Sequence, residues 1–235
     1  MPLPPLSSLP KPSAGVETEV VELNRDVTMA IVILNIAVFL AERLLDPVAH
    51  AFFEHRYALS LEGLKAGAWW QFLSYQFLHG GWLHLGFNLL FLHSLGPVME
   101  TTLGWRRFLA LYLVSGVVGG AVQVAGAFLS PTHLGPPVVG ASAGLCGLLA
   151  ALGSIYAETR LPVLLFFVFP ITMKAKILLL GFALITVAGT FVPIGHVAHL
   201  AHLGGLLGGL GVVNLMTVKP LELVPPEELP HAKTK

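Results

Sequence analysis

Ser142 and His202 stand sixty residues apart, each inside a stretch otherwise apolar enough to be a membrane-spanning helix. A serine hydroxyl is a weak nucleophile until a base takes its proton, and a neutral imidazole is the side chain best matched to that task near neutral pH. Polar side chains in hydrocarbon are costly, so a Ser and a His at matching depth point to a functional site. Attack on an amide carbonyl would create an oxyanion, which needs donors already in place. The Asn88 amide, the His84 ring and the Ser142 backbone N–H can supply them. A carboxylate third member is hard to find. The acids within the apolar stretches are Glu42, beside Arg43, and Glu100, at the opposite end of its stretch. Glu42 is assigned to Arg43 or to water, so the residues make a Ser–His dyad rather than a triad.

These side chains need a membrane scaffold to hold them. With 55% hydrophobic residues, 11% charged residues and a mean hydropathy of +0.78, the 235-residue chain is outside the range of soluble domains. The apolar residues fall in six blocks, roughly 27–45, 84–101, 106–128, 138–157, 174–193 and 198–217, each about the ~20 residues a bilayer requires. The expected fold class is therefore an all-α membrane protein, a six-transmembrane helical bundle. Leu161–Pro170 is too short to span and, bounded by Pro162 and Pro170, is expected to be an interfacial connector. With the N-terminus placed in the cytoplasm, ten of the 13 Lys and Arg residues fall on that side, and only Arg43, Arg56 and Lys65 fall outside. The long outer connection, about 46–82, is rich in aromatics such as Trp69, Trp70, Tyr75 and Trp82, which suits a segment half-immersed at headgroup level beside the bundle.

In this topology the second, fourth and sixth spans all run from outside to inside. Their first turns carry His84 with Asn88, then Ser142, then His202, at similar depth: Ser142 and His202 lie on the order of 6 Å inside the outer ends, and Asn88 one turn below His84 on the same face. Gly140 and Gly144, Gly205 and Gly209, and Gly116 and Gly120 repeat at intervals of four, the spacing that lets helices approach closely. Close approach of the fourth and sixth helices would bring Ser142 to His202.

His84-Leu85-Gly86-Phe87-Asn88, Gly140-Ala141-Ser142-Ala143 and Ala201-His202 followed by Gly205 and Gly209 resemble the HxxxN, GxSG and AHxxGxxxG motifs of the rhomboid intramembrane serine proteases. Gly96 to Gly104, with Glu100 between, resembles the end of that family's second helix. Residues 27–217 resemble the basic six-helix prokaryotic type, with a membrane-embedded outer loop between the first two spans. The resemblance implies an intramembrane serine endopeptidase that cleaves transmembrane or membrane-tethered substrates near the outer face. Ser142 would be its nucleophile, His202 its general base, and His84 and Asn88 its oxyanion partners, with no cofactor and no metal. Three positions depart from the family pattern. Ala143 replaces the last glycine of GxSG, Cys146 stands where an aromatic often supports the base, and Gln71 follows Trp70 where an arginine often anchors the outer loop.

Two other classes share some of these features: a catalytically silent relative that binds transmembrane helices, and a transporter using His196, His199 and His202 as metal ligands. The transporter lacks the deep carboxylates that ion paths pair with histidine. His199 is expected to face water at the mouth of the site, and Cys146, deeper and in apolar surroundings, to be inert. The Pro-rich residues 1–26 read as a cytosolic tail, 27–217 as the helical domain, and 218–235 as a second cytosolic tail. The absence of an organelle leader and of a seventh span points to a prokaryotic plasma membrane. The expected partners are transmembrane substrates and the lipid bilayer, with no nucleic acid.

Overall fold

The computed structural model describes residues 22–130, 137–165, 169–192, 197–218 and 220–221. Helices occupy all six apolar blocks: α1 (Asp26–Arg43), α5 (Trp82–Leu103), α6 (Trp105–Leu129), α7 (Ser142–Ile155), α8 (Ala175–Phe191) and α9 (His199–Asn214). Three short helices lie between α1 and α5, namely α2 (Pro47–Tyr57), α3 (Leu61–Lys65) and α4 (Gln71–Ser74), followed by a 3-10 turn at Tyr75–Phe77. Among the described residues, Trp105–Leu129 is the helix long and apolar enough by itself to cross a membrane, while Ser142–Ile155 and Ala175–Phe191 are apolar but shorter.

The block expected at 138–157 begins its helix only at Ser142. Val138 is instead bridged to Leu59 of the outer connection by a reciprocal pair of backbone bonds, and Gly140 holds φ +127°, a left-handed conformation that ends any helix running through it. The connector expected at Leu161–Pro170 contains two strands. Residues Arg160–Leu165 (β1) and Phe169–Lys174 (β2) pair antiparallel, Arg160 opposite Lys174. Pro162 and Pro170 exclude helix but are tolerated in a two-stranded ribbon, which has only edges. At its root, the exposed Glu158 bonds Lys174 at 2.6 Å and also Lys176, which together hold its carboxyl down at about 2.

The centre of the bundle is the contact of α6, α7 and α9, with α5 and α8 against its flanks and α1 outside α5. Apolar side chains such as Phe39, Leu92 and Phe108 fill much of its interior, but the division between inside and outside is not that of a soluble protein. Thr28, Asn35, Glu100, Ser115, Gln123 and Thr186 are buried, whereas Ile33, Leu40, Val114, Leu180, Leu184, Ile185 and Leu207 are exposed. An apolar surface around buried polar groups suits a hydrocarbon surrounding.

Glu100 explains how α1 is docked. The residue preceding α1, Arg25, makes no side-chain cap, and the local Asn24 Oδ1 accepts only the Asp26 N–H, at 3.2 Å. The Glu100 carboxylate, from the last turn of α5, accepts hydrogen bonds from the backbone N–H groups of Val27 (2.9 Å) and Thr28 (2.8 Å) and from the Thr28 hydroxyl (2.7 Å). An acid thus satisfies two orphan donors at a helix's positive end, across 72 residues of sequence. Glu100→Ala leaves these buried donors unpaired, and we expect a loss of about 3 kcal/mol, read as a lowered thermal midpoint in detergent. Glu100→Gln, which can still accept, should lose less.

The outer connection is pinned in the same manner. Gln71 is fully buried, and its amide accepts from the Ser60 N–H (3.1 Å) and donates to the His55 carbonyl (3.1 Å). Trp70 Nε1 donates to the Arg56 carbonyl, and the Arg56 guanidinium lies 4.0 Å over the Trp70 ring. The anchoring charge missing at position 71 is thus replaced by a neutral amide and by Arg56. Gly116 and Gly120 of α6 face this connection, not another helix. A Cβ at Gly116 would strike the Gln76 side chain, and one at Gly120 would lie 2.7 Å from Leu59.

Candidate active site

Three helix N-termini meet at one end of the bundle, each bringing a polar residue within its first turn or so. Ser142 opens α7, His202 follows the first turn of α9, and His84 is the third residue of α5. Ser142 Oγ and His202 Nε2 lie 2.8 Å apart, hydrogen-bond distance for proton transfer between a hydroxyl and an imidazole. The two expected catalytic residues are therefore in direct contact.

Glycines make that contact sterically feasible. A Cβ on Gly205 would overlap the Ala143 carbonyl, one on Gly209 would lie 2.6 Å from the Gly147 carbonyl oxygen, and one on Gly119 would lie 2.7 Å from the Ala143 Cβ. The α9 backbone therefore rests directly on that of α7, as the spacing of Gly205 and Gly209 indicated. Gly140 has a different role from the helix packing assigned to it. It precedes α7, donates its N–H to the Tyr75 carbonyl (2.9 Å), and would place a Cβ 2.7 Å from His84 Nε2 and 3.7 Å from Ser142 Oγ. Gly140 thus supplies both the turn that exposes Ser142 and the space that admits the His84 ring.

His84 reaches the serine side of the site through that gap, while Asn88 lies one turn further along α5, buried, with its Nδ2 donating to the His84 carbonyl at 2.9 Å. One Asn88 N–H is engaged there, and the amide retains a second. Because Ser142 is the first residue of α7, the N–H groups of the opening turn have no intrahelical partner, and they point out of the positive end of the helix toward the same space. An imidazole, an amide and a helix N-terminus around one hydroxyl could stabilise a developing negative charge.

Several contributors carry no motif. Phe182 of α8 has its ring centroid 6.0 Å from that of His202 and shares an apolar cluster with Cys146 and Leu206. The aromatic support absent at position 146 comes instead from a different helix. Gln123 accepts the Ala201 backbone N–H at 3.2 Å, fixing the start of α9 against α6. A buried glutamine within an apolar helix was a signal available in the sequence, whereas Phe182 could not have been singled out among so many apolar residues.

Two expectations about flanking residues are corrected. His199 does not face water: both ring nitrogens are buried without a hydrogen-bond partner, and the ring sits against Gly189 of α8. Glu42 is not paired with Arg43, whose guanidinium lies 4.8 Å from the Phe39 ring and 3.5 Å from His50 Nε2. Glu42 is only 4% exposed, and its carboxylate is turned toward the backbone N–H of His79. His196 lies outside the described residues, and among the described residues no group of three or more His, Cys, Asp or Glu side chains is placed to hold a metal ion.

The model of the rhomboid domain matches residues 66–218, more than half of the chain. The chain is similar to the rhomboid protease GluP of Bacillus subtilis, 37% identical over 97 residues, covering 41% of this chain and 18% of that protein. It is similar also to the rhomboid protease GlpG of Klebsiella pneumoniae, 32% identical over 97 residues, covering 41% of this chain and 34% of the relative. A third relative is the human rhomboid-related protein 3, 37% identical over 82 residues, covering 35% of this chain and 19% of its own. In each case the aligned part is less than half of the relative's own length.

Proposed function

This chain belongs to the rhomboid family, and from that premise we propose that it is an intramembrane serine endopeptidase acting through Ser142 and His202. The observation that carries the proposal is the 2.8 Å approach of Ser142 Oγ to His202 Nε2. Residues 27–217 form the protease domain, its six helices crossing the bilayer and its aromatic outer loop partly immersed, with residues 1–26 and 218–235 as cytoplasmic tails. The membrane is a prokaryotic plasma membrane, and the substrates are transmembrane or membrane-tethered proteins cut near the outer face.

A substrate helix enters laterally between α5 and α8 and unwinds locally, exposing a peptide carbonyl. The Ser142 Oγ–H proton passes to His202 Nε2 as Oγ bonds to the carbonyl carbon. The negative charge that forms on the carbonyl oxygen is held by His84, Asn88 and the N–H groups opening α7. His202 then returns the proton to the amide nitrogen, the C–N bond breaks, and an acyl-enzyme remains on Ser142. Water, deprotonated by His202, attacks the ester, releasing a carboxylate and restoring the serine. A site at the helix N-termini, near the outer surface, admits that water.

The test is labelling by a fluorophosphonate, which reacts with activated serines. Detergent-solubilised protein should be labelled, and Ser142→Ala and His202→Ala should not. Failure to label folded wild type would instead favour a silent helix-binding relative. The labelling rate should also depend on pH. Because only neutral His202 can accept the proton, the rate should be flat above the pH at which His202 protonates and fall about tenfold per unit below it. A rate that rose on acidification would exclude His202 as base.

A further inference from the structure

His79, the third residue before α5, has no part in the dyad, yet it is one of the more costly side chains in the molecule. It is 2% exposed, and neither ring nitrogen has a hydrogen-bond partner. A buried, unpaired polar group costs roughly 1–3 kcal/mol, so a phenylalanine would serve better if packing were its only role. Burial, with His84 beside it, outweighs the opposing influence of the Phe77 backbone and pushes the ring down to about 4, so near neutral pH it is uncharged and carries one N–H.

Its neighbour is the residue proposed above to face the oxyanion. The His79 and His84 ring centroids are 5.2 Å apart with the planes at 63°. Each nitrogen lies about 1.2 Å from its own centroid, so a turn of the His79 ring leaves roughly 3 Å between facing nitrogens, hydrogen-bond distance. The two edges of His84 are distinct: Nε2 is next to Gly140, on the Ser142 side, while Nδ1 faces Gly80, on the side from which His79 comes. To donate a hydrogen bond toward Ser142, His84 must carry its proton on Nε2 and leave Nδ1 bare. In a neutral imidazole, the tautomer is set by the bond the other nitrogen makes. The backbone N–H of His79 is itself directed toward the buried Glu42 carboxylate at the end of α1.

We propose that His79 is a positioning residue that donates its ring N–H to His84 Nδ1 and so holds the His84 proton on Nε2, aimed at the oxyanion, with Glu42 fixing the His79 backbone from α1. This inference rests on the assignment of His84 as an oxyanion donor. It explains why an imidazole occupies an apolar pocket, and it gives Glu42, the buried acid at this end of the bundle, a role outside the dyad. His79 stays clear of substrate and acts only through His84.

Two variants of the full chain in detergent test it, His79→Phe, which keeps a ring and removes the donor, and His79→Gln, which keeps an N–H donor at similar reach. The fluorophosphonate labelling rate of Ser142 should fall about tenfold in His79→Phe and stay within about threefold of wild type in His79→Gln, a partial loss of oxyanion stabilisation followed by its rescue. Imidazole nitrogen NMR of histidine-labelled protein, with the His84 signals assigned by their loss in His84→Ala, should show His84 protonated on Nε2 in wild type and His79→Gln. In His79→Phe a mixture of tautomers should replace it. A wild-type His84 protonated on Nδ1 overturns the inference, as does a His79→Phe variant equal to wild type in both rate and tautomer. If His79→Phe does not fold, the wild-type tautomer and the His79→Gln rate decide. Unlabelled wild type with His84 protonated on Nε2 would count against the protease while leaving the tautomer control standing, so the two failures are distinguishable.

Discussion

Ser142→Ala and His202→Ala should each abolish cleavage of a transmembrane substrate reconstituted with the protein, and the double variant should be no worse than either alone. A nucleophile and its base act as a unit, so removing one removes nearly all of what both contribute, on the order of 10⁴–10⁶ in turnover. The 2.8 Å contact makes that coupling specific to this pair. The losses should appear without loss of fold. Ser142→Ala deletes one hydroxyl from a half-buried position at the start of α7, and its thermal midpoint should stay close to that of wild type. His202→Ala opens a small space beside Phe182, a milder effect than its effect on catalysis. Additive losses in the double variant, or substantial turnover in either single one, would mean that the two residues do not work together.

Comparing expectation with structure separates what a single chain can show from what packing decides. Ser142, His202 and His84 could be read together because their positions combined chemistry, helix register and depth, three constraints that seldom coincide by chance. The helices α1, α5, α6, α8 and α9 could be read because apolar blocks of that length form helices wherever no residue forbids it. The start of α7 was misjudged because hydropathy does not register a backbone angle: Gly140 is apolar by composition, but its left-handed φ ends the helix before Ser142. The β1–β2 hairpin was missed because a short apolar run carries no period that separates strand from connector. His199 and Glu42 were misplaced for a third reason. Each was assigned to a nearby partner in sequence or to water, whereas the actual neighbours, Gly189 and the His79 backbone, come from other elements. Phe182 belongs with these, since which of many apolar side chains touches the base depends on how α8 packs against α9.

Gly205→Ala should disable the protein as effectively as loss of its base, though by a different physical route. The added methyl would overlap the Ala143 carbonyl oxygen and lie 2.9 Å from its carbon and 3.0 Å from the Ala143 Cα. These are backbone atoms of α7 and cannot rotate away, so α9 must move back as a whole. Overpacking of a close helix contact costs about 1–3 kcal/mol even where side chains can yield. The geometric effect is larger. A retreat of about 1 Å at Gly205, less than one turn along α9 from His202, stretches the Ser142–His202 contact beyond proton-transfer distance, and misplacement on that scale costs about a hundredfold in rate. Gly211→Ala provides the control on the same helix. A Cβ there meets nothing within 4 Å, so the change adds only helix propensity and should leave turnover intact while raising stability by up to about 1 kcal/mol. Turnover and thermal midpoint measured for both variants would separate close approach from a general intolerance of side chains on α9. If Gly205→Ala cleaved as fast as Gly211→Ala, the glycine face could not be what brings the base to the serine.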